Sequence, residues 1–391
     1  MHISFITSHF PFQDSKSVGG IGTSIKNLSD ELVSLGHIVT VFVHEQDTDE
    51  KTIDNGINVV KIKNVKVKGL SWFFTRKKIQ KVILAVHKKS KIDIIETPDW
   101  EGITSFINLP FPVVVRLHGS DTYFCHLDQR KVKWINKFHE KRAIKKANAY
   151  LSVSKYTADV TNELLDLNID YTIIPNGINT TIFKRNESLN LGDRNIFKEK
   201  TILYFGGIIR KKGLLEIPHY FNKINQLIPD AQLILIGKDM KDNLTGNIST
   251  FSMIEPIFSN LGRLKVKFLG SVPYQEIKKH IEYSTVCIFP SYAEALPVSW
   301  LEAMALEKAI VASNIGWADE IIMNNENGFL VDPQNHNLFA DTIISLLENE
   351  LLCSEIGKEA RSRVVDKFDI SKVVIENVEF YKDIISQNTK Q

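Results

Sequence analysis

Short runs of β-branched and aromatic residues recur along the chain, each followed by a longer stretch whose apolar positions return every three or four residues. In the first half the runs are HISFITS (2–8), HIVTVFV (37–43), IDIIET (92–97), FPVVVRLHG (111–119) and AYLSVS (149–154). In the second half they are TILYFGGI (201–208), AQLILIGK (231–238), VKFLGSV (266–272), TVCIFPS (285–291), AIVAS (309–313) and GFLV (328–331). Near-continuous apolar runs alternating with helical stretches of about 10 to 15 residues predict parallel strands, buried on both faces and joined by right-handed helical crossovers. The pattern breaks in NTTIFKRNESLNLGDRNIFKEK (179–200), which is polar, rich in Asn and without a steady period. Two α/β domains are therefore expected, 1–178 and 179–371, the second entered through that linker. After GFLVDP (328–333) the pattern is helical to the end of the chain.

Composition narrows the chemistry. The 391 residues are 43% hydrophobic and 24% charged, enough to bury two substantial cores. Cys125, Cys287 and Cys353 are far apart and form no CxxC pair, so neither a disulfide framework nor a zinc site is expected and a reducing cytosol fits best. MHISFITSHF enters a strand directly, without the basic start and longer apolar stretch of a signal peptide, and no apolar run approaches the roughly 18 residues of a membrane span. The net charge of +2 hides an asymmetry: residues 1–180 hold 24 Lys and Arg against 19 Asp and Glu, the remainder 24 against 27. From Lys61 to Lys91 there are eleven basic residues and no acidic one, with Trp72, Phe73 and Phe74 among them. Arg130 to Lys146 carries eight more, with Trp134 and Phe138. Basic residues interleaved with aromatics suit an anionic membrane surface or a nucleic acid. A solvated helix face with its aromatics turned to the core gives the same pattern, and the sequence leaves both open.

Doubly wound sheets bind ligands at the C-terminal ends of their strands. RLHGSD ends one strand with His118, Gly119 and Asp121, and GGIIRKKG follows another with Gly207, Arg210, Lys212 and Gly213. After the strand TVCIFPS comes AEALPVSWLEAMAL, with Glu294 on the loop and Glu302 just over two turns further on; the helix is expected to start within Ala295 to Pro297. That spacing does not supply the shared substrate face that a glycosidase carboxylate pair needs. Two separated carboxylates can instead each hold neighbouring hydroxyls, while Arg210, Lys212 and the helix start suit a diphosphate. Sugar, diphosphate and ribose together describe a nucleotide sugar. GGIGTSI (19–25) imitates a dinucleotide fingerprint, but a long loop separates it from its strand and Ile25 stands where a third small residue belongs.

VGGIG (18–22), HGSD (118–121), PNGI (175–178), GGIIRKKG (206–213), the Glu-x7-Glu motif EALPVSWLE (294–302) and GFLVDP (328–333) occur in this order. On that ordered set the sequence resembles the family-4 retaining glycosyltransferases, over nearly the whole chain. The resemblance implies a GT-B fold, two Rossmann-like doubly wound parallel-sheet domains facing a cleft, the first for the acceptor and the second for the nucleotide sugar. A final helix, about 372–391, is expected to pack back on the first domain.

The same resemblance implies that Glu294 holds hydroxyls of the transferred sugar and Glu302 the ribose, with backbone N–H groups near Ala295, Leu296 and Val298 around sugar and phosphate. Arg210 and Lys212 would neutralise the leaving diphosphate, His118 would face the sugar, Gly20 would let backbone approach the phosphate or acceptor closely, and Gly207 is a further candidate on the donor side. The base would pack near Val272, and Asp121 is a candidate on the acceptor side. In NIGWADEII (314–322), Gly316 is followed by Trp317 where the family often has paired glycines, which puts in doubt the part that Glu320 plays. No Asp-x-Asp cluster stands at a strand end, so metal independence is expected, with no cofactor. The expected partners are a nucleotide-sugar donor, a lipid-linked or oligosaccharide acceptor and an anionic membrane surface, with no nucleic acid. The expected setting is the inner face of the cytoplasmic membrane, in bacterial surface polysaccharide (O-antigen or capsule) synthesis. Epimerases and phosphorylases of the same fold, and a sugar-nucleotide-binding protein without activity, are the alternatives.

Overall fold

The structure, a computed structural model, describes residues 1–12, 19–185 and 200–389. Positions 186–199 of the expected linker, and Val18 of the first glycine turn, lie outside the described residues. The described residues divide into two compact units, one of 1–12, 19–177 and 370–389, the other of 178–185 and 200–369.

In the first unit β1 (His2–Thr7), α1 (Gly20–Ser34), β2 (Ile38–Gln46), β3 (Glu50–Asp54), β4 (Ile57–Lys63), α2 (Ser71–Lys89), β5 (Ile94–Pro98), β6 (Val113–Leu117), α3 (Asp121–Leu127), α4 (Trp134–Lys146), β7 (Ala149–Ser152), α5 (Lys155–Leu165) and β8 (Thr172–Ile173) follow in order. Their sheet runs β3-β4-β2-β1-β5-β6-β7-β8, parallel throughout except for β3 against β4. The central strands are apolar on both faces because both are covered: β1 is buried at every position. One face packs against α1 and the chain's last helix through Phe5, Val41, Leu32 and Val374, and the other against α2 through Phe42, Ile79 and Ile83. The β3–β4 hairpin is an element the apolar runs did not indicate. Its turn, Asn55-Gly56, has φ of 49° and 84°, the left-handed pair that an Asn-Gly hairpin turn adopts.

In the second unit β9 (Thr201–Phe205), α6 (Ile217–Leu227), β10 (Gln232–Ile236), α7 (Thr250–Ile254), α8 (Asn260–Arg263), β11 (Val266–Gly270), α9 (Tyr274–Tyr283), β12 (Val286–Phe289), α10 (Val298–Ala305), β13 (Ala309–Ser313), α11 (Ala318–Ile321), β14 (Phe329–Val331), α12 (His336–Glu348) and α13 (Glu350–Lys367) surround a parallel sheet of order β11-β10-β9-β12-β13-β14. The eight residues of α10 are buried apart from Ser299, as expected of a helix that is apolar on every side. Trp317, in place of the family's second glycine, is fully buried.

The final helix, α14 (Ile370–Thr389), belongs to the first unit. Ile370, Val373, Val374, Val378, Tyr381 and Ile384 form its buried stripe, recurring at helical spacing. Asn377 lies on the same stripe and accepts a hydrogen bond from Arg116, whose guanidinium also makes a two-point pair with Glu96 at 2.7 and 2.9 Å. Tyr381 donates to the same Glu96 at 2.6 Å. This buried network joins β5, β6 and α14, with the carboxylate and guanidinium both satisfied, as burial of charge requires.

Candidate functional site

The C-terminal strand ends of the second sheet hold the cationic and acidic side chains singled out by sequence. Beyond β9, Gly206 and Gly207 lead into a single 3-10 turn, Arg210–Lys212, closed by Gly213 at φ 72°. A Cβ at Gly213 would lie 1.9 Å from the Pro290 carbonyl oxygen, so only glycine lets this turn sit against the end of β12. Arg210 Nε and Nη2 donate to Asp242 Oδ1 and Oδ2 at 2.8 and 2.9 Å. Asp242 is 1% exposed, and the hydrogen bonds from Arg210 hold its carboxyl well below the usual carboxylate range. In return the carboxylate raises the affinity of Arg210 for its proton. Two of the five guanidinium N–H donors are thereby spent on orientation, leaving Nη1 outside this pair.

Lys212 Nζ is ion-paired with Glu294, which also accepts from Ser291 Oγ at 3.2 Å. The two residues assigned by sequence to diphosphate and to sugar thus stand in direct contact. The expected start of the helix is corrected by one residue or more: α10 begins at Val298, and Pro297 is its N-cap, with φ −71° and ψ 120°. Proline disfavours helical backbone at the residue before it, Leu296, and carries no side-chain acceptor to cap the helix's first N–H groups. Ala295, Leu296 and Val298 are all buried around this start.

Glu302 is 4% exposed rather than lying on a solvated helix face. Burial pushes its carboxyl up to about 7, against a hydrogen bond donated by Tyr274 Oη to Oε1 at 2.6 Å. Tyr274 directly follows Val272 and Pro273, the loop assigned to the base, where Val272 is half-buried. Asp242 and Tyr274 are the residues that sequence reading missed. Each stands within a few residues of a strand's C-terminal end, after β10 and after β11, which is the one signal available for them.

In the first unit His118 is 5% exposed at the end of β6, and burial, helped by Arg116, pushes its imidazole down to about 3. Its backbone N–H donates to Asp99 Oδ1 at 2.9 Å. Asp99 follows β5; it is 1% exposed and its Oδ2 has no hydrogen-bond partner. Burial pushes Asp99 up to about 8. Asp121 starts α3, accepting from Asn136 at 2.9 Å while its own N–H donates to the buried Glu140 at the same distance. Gly20 is the exposed first residue of α1, and a Cβ there would meet no atom within 4 Å. Glu320 is half-buried, with its carbonyl accepting from Arg363 and Lys367.

The aromatics of the two basic stretches converge in this unit. Trp72 lies 5.3 Å from Phe106 and 4.8 Å from His139, and Phe106 lies 6.4 Å from Phe138. Trp134 is 77% exposed, and Leu70, Trp72 and Phe74 of the first stretch and Phe138 of the second are exposed as well. Some of the basic charge is matched from outside the stretches: Lys61 pairs with Glu50 and Lys78 with Asp49. Lys66, Lys68, Lys133 and Lys137 remain exposed. Among the described residues no helix is long and apolar enough to cross a membrane, and none form a group of three or more His, Cys, Asp or Glu that could hold a metal ion.

Comparison with known proteins accounts for both units. Residues 18–182 match the model of Glycosyltransferase Family 4 and residues 192–363 that of Glycosyl transferases group 1. An uncharacterized glycosyltransferase of Methanocaldococcus jannaschii is 28% identical, over 98% of this chain and 98% of its own. Among solved structures, sucrose-phosphate synthase from Thermosynechococcus elongatus superposes with a TM-score of 0.80 at 19% identity, covering 99% of both chains. Anabaena HepE, crystallised with UDP-glucose, does so with 0.74 at 19% identity, over 98% of this chain and 100% of that one. With one family model on each half and GT-B enzymes matching it end to end, the chain belongs to the family-4, group 1 glycosyltransferases of the GT-B fold.

Proposed function

We propose that the protein is a retaining, metal-independent hexosyltransferase. It moves a sugar from a nucleoside-diphosphate donor to a lipid-linked or oligosaccharide acceptor of a bacterial surface polysaccharide, O-antigen or capsule, at the inner face of the cytoplasmic membrane. The observation that carries the reading is the pair of cation–carboxylate contacts, Arg210–Asp242 and Lys212–Glu294, on neighbouring strand ends of one sheet. Such strand ends are where doubly wound sheets bind nucleotides, and HepE holds UDP-glucose within the same fold.

The chemistry follows from charge. When the bond from the anomeric carbon to the phosphate oxygen breaks, its electron pair goes to the diphosphate. Arg210, held by Asp242, and Lys212 meet the growing charge, so they lower the transition state more than the ground state. The Lys212 ammonium has three donors and can keep Glu294 while donating to a phosphate. Glu294 accepts from hydroxyls of the sugar, and Glu302 from the ribose. The acceptor oxygen bonds the anomeric carbon on the face the diphosphate leaves, and its proton passes to the departing phosphate oxygen. Attack on that face retains configuration. His118, kept neutral by burial, suits a hydrogen bond to a sugar hydroxyl rather than added charge.

Single-turnover measurements on Arg210→Ala and Lys212→Ala test the reading, run with and without EDTA. Each variant is expected to lose on the order of 10²-fold in turnover with a smaller loss of donor affinity. Wild-type activity is expected to survive chelation. Unchanged turnover in both variants overturns the diphosphate assignment, and abolition by EDTA with rescue by Mg²⁺ or Mn²⁺ overturns the metal-free one.

A further inference from the structure

Tyr274 joins an exposed surface to a buried charge. It is 40% exposed, yet its hydroxyl reaches Glu302, which is 4% exposed and lies 28 residues further along the chain. The ring is braced by Phe183, 6.1 Å away, so the hydroxyl is aimed by packing as well as by the bond it makes. Other charged groups on elements around α10 are engaged elsewhere. Arg361, on α13, donates to the carbonyls of Phe183, Thr180 and Ala305, and Glu307 is ion-paired with it. Among the described residues, Tyr274 is therefore the titratable side chain that faces Glu302, and the one that opposes the effect of burial on it.

We propose that Tyr274 is a positioning residue for nucleotide binding: its hydroxyl engages Glu302 Oε1 and so fixes the carboxylate in the orientation that presents its remaining acceptor sites to the two ribose hydroxyls. The proposal rests on the reading of Glu302 as the ribose carboxylate. Each carboxylate oxygen has two acceptor sites, so Oε1 can keep the tyrosine while the group accepts from a diol. A second consequence concerns protonation. A carboxyl accepts two hydroxyl hydrogen bonds well only when ionised, and burial already makes ionisation of Glu302 costly near neutrality. Removing the hydroxyl removes a bond to the ionised form, so Glu302 stays protonated to higher pH. Nucleotide affinity is then lost on acidification earlier than in the wild type.

Calorimetry with UDP, GDP and ADP as probes tests this on the full chain, from about pH 6 to about pH 8.5, with wild type, Tyr274→Phe and Glu302→Gln. Phenylalanine keeps the ring against Phe183, and melting without nucleotide checks that the fold is intact. For the tightest probe, Tyr274→Phe is expected to weaken binding about tenfold near neutrality, the scale of one lost hydrogen bond to a charged group. The loss should shrink towards the alkaline end. The terminal phosphate of the probe itself titrates at about 6, but it does so in both proteins and cancels in their difference. Wild-type affinity in Tyr274→Phe at every pH, or a loss equal at every pH as plain packing would give, overturns the proposal. If Glu302→Gln weakens binding while Tyr274→Phe does not, the ribose assignment stands and only the role of Tyr274 falls. If Glu302→Gln binds like wild type, or wild type binds none of the three probes, the reading of Glu302 has failed and the proposal falls with it.

Discussion

Asp99 and Arg116 show how differently two buried charged groups are handled within one sheet. Arg116 is surrounded by acceptors, with Glu96, Asn377 and the Ile174 carbonyl all in contact. Asp99 instead accepts a bond at Oδ1 and leaves Oδ2 buried without a partner. Burial pushes its carboxyl up to about 8, above an unfolded value of about 3.9. The folded protein therefore binds this proton more tightly than the unfolded chain. Between those two values folding takes up a proton, and stability contributed here falls as pH rises towards and through 8. Asp99→Asn keeps an acceptor for the His118 N–H but cannot ionise. Unfolding free energies measured by chemical denaturation from about pH 6 to about pH 9 should decline less steeply in Asp99→Asn than in wild type, by up to about 1.4 kcal/mol per pH unit below 8, where the folded protein holds the proton and the unfolded chain does not, and the difference should level off above 8. Parallel curves for the two proteins would mean that Asp99 titrates in its ordinary range. Sequence reading reached His118 beside it but not Asp99, because a carboxyl's burial and its missing partner depend on neighbours distant in sequence.

The elements themselves were largely readable. Eleven apolar runs each correspond to a strand; the central strands are covered on both faces and so are apolar at nearly every position, while the edge strand β11 alternates half-buried and exposed positions. Of the hairpin β3–β4, EKTID has no buried position and gives no apolar signal, whereas INVVKIK buries Ile57, Val59, Val60 and Ile62 and, with Asn55-Gly56 ahead of it, carries a hairpin signal in plain sight. The start of α10 falls after the expected Ala295 to Pro297 because proline suits the first helical position and the cap alike, and here Pro297 is the cap. Helix α14 owes its attachment to contacts no local pattern reveals. Its Tyr381 and Asn377 meet Glu96 and Arg116 from more than 250 residues away, at separations of 285 and 261. Tyr381→Phe removes one hydroxyl from this buried carboxylate and should cost about 1 to 3 kcal/mol, the penalty for leaving such a group short of a partner. Chemical denaturation measures it. A change within about 0.5 kcal/mol, the range of ordinary surface substitutions, would mean that Arg116 alone satisfies Glu96 and that α14 is held by its apolar stripe.

At the scale of the whole molecule, charge is divided unevenly between two units of similar architecture. The basic surplus lies in the first 180 residues, and the structure shows which part of it is free to act. Lys61 and Lys78 are neutralised by Glu50 and Asp49, whereas Lys66, Lys68, Lys133 and Lys137 are exposed. The aromatics are of two kinds. Trp72 is stacked on His139 and Phe106, while Trp134 is 77% exposed, an expensive arrangement in water for so large an apolar surface. Tryptophan settles at the headgroup level of a bilayer, and each Lys or Arg near an anionic leaflet contributes on the order of 1 kcal/mol. Such cations and an exposed indole would give a reversible attachment that screening should weaken as salt rises. The prediction is that the protein sediments with vesicles containing phosphatidylglycerol, less so at high salt, and little with vesicles of phosphatidylcholine alone. Trp134→Ser together with Lys133→Ser and Lys137→Ser should lower binding to the anionic vesicles about tenfold or more while leaving the melting temperature unchanged, because all three side chains are exposed. Equal sedimentation with both kinds of vesicle, or with neither, would leave these residues as a solvated face and point the transferase towards a soluble acceptor.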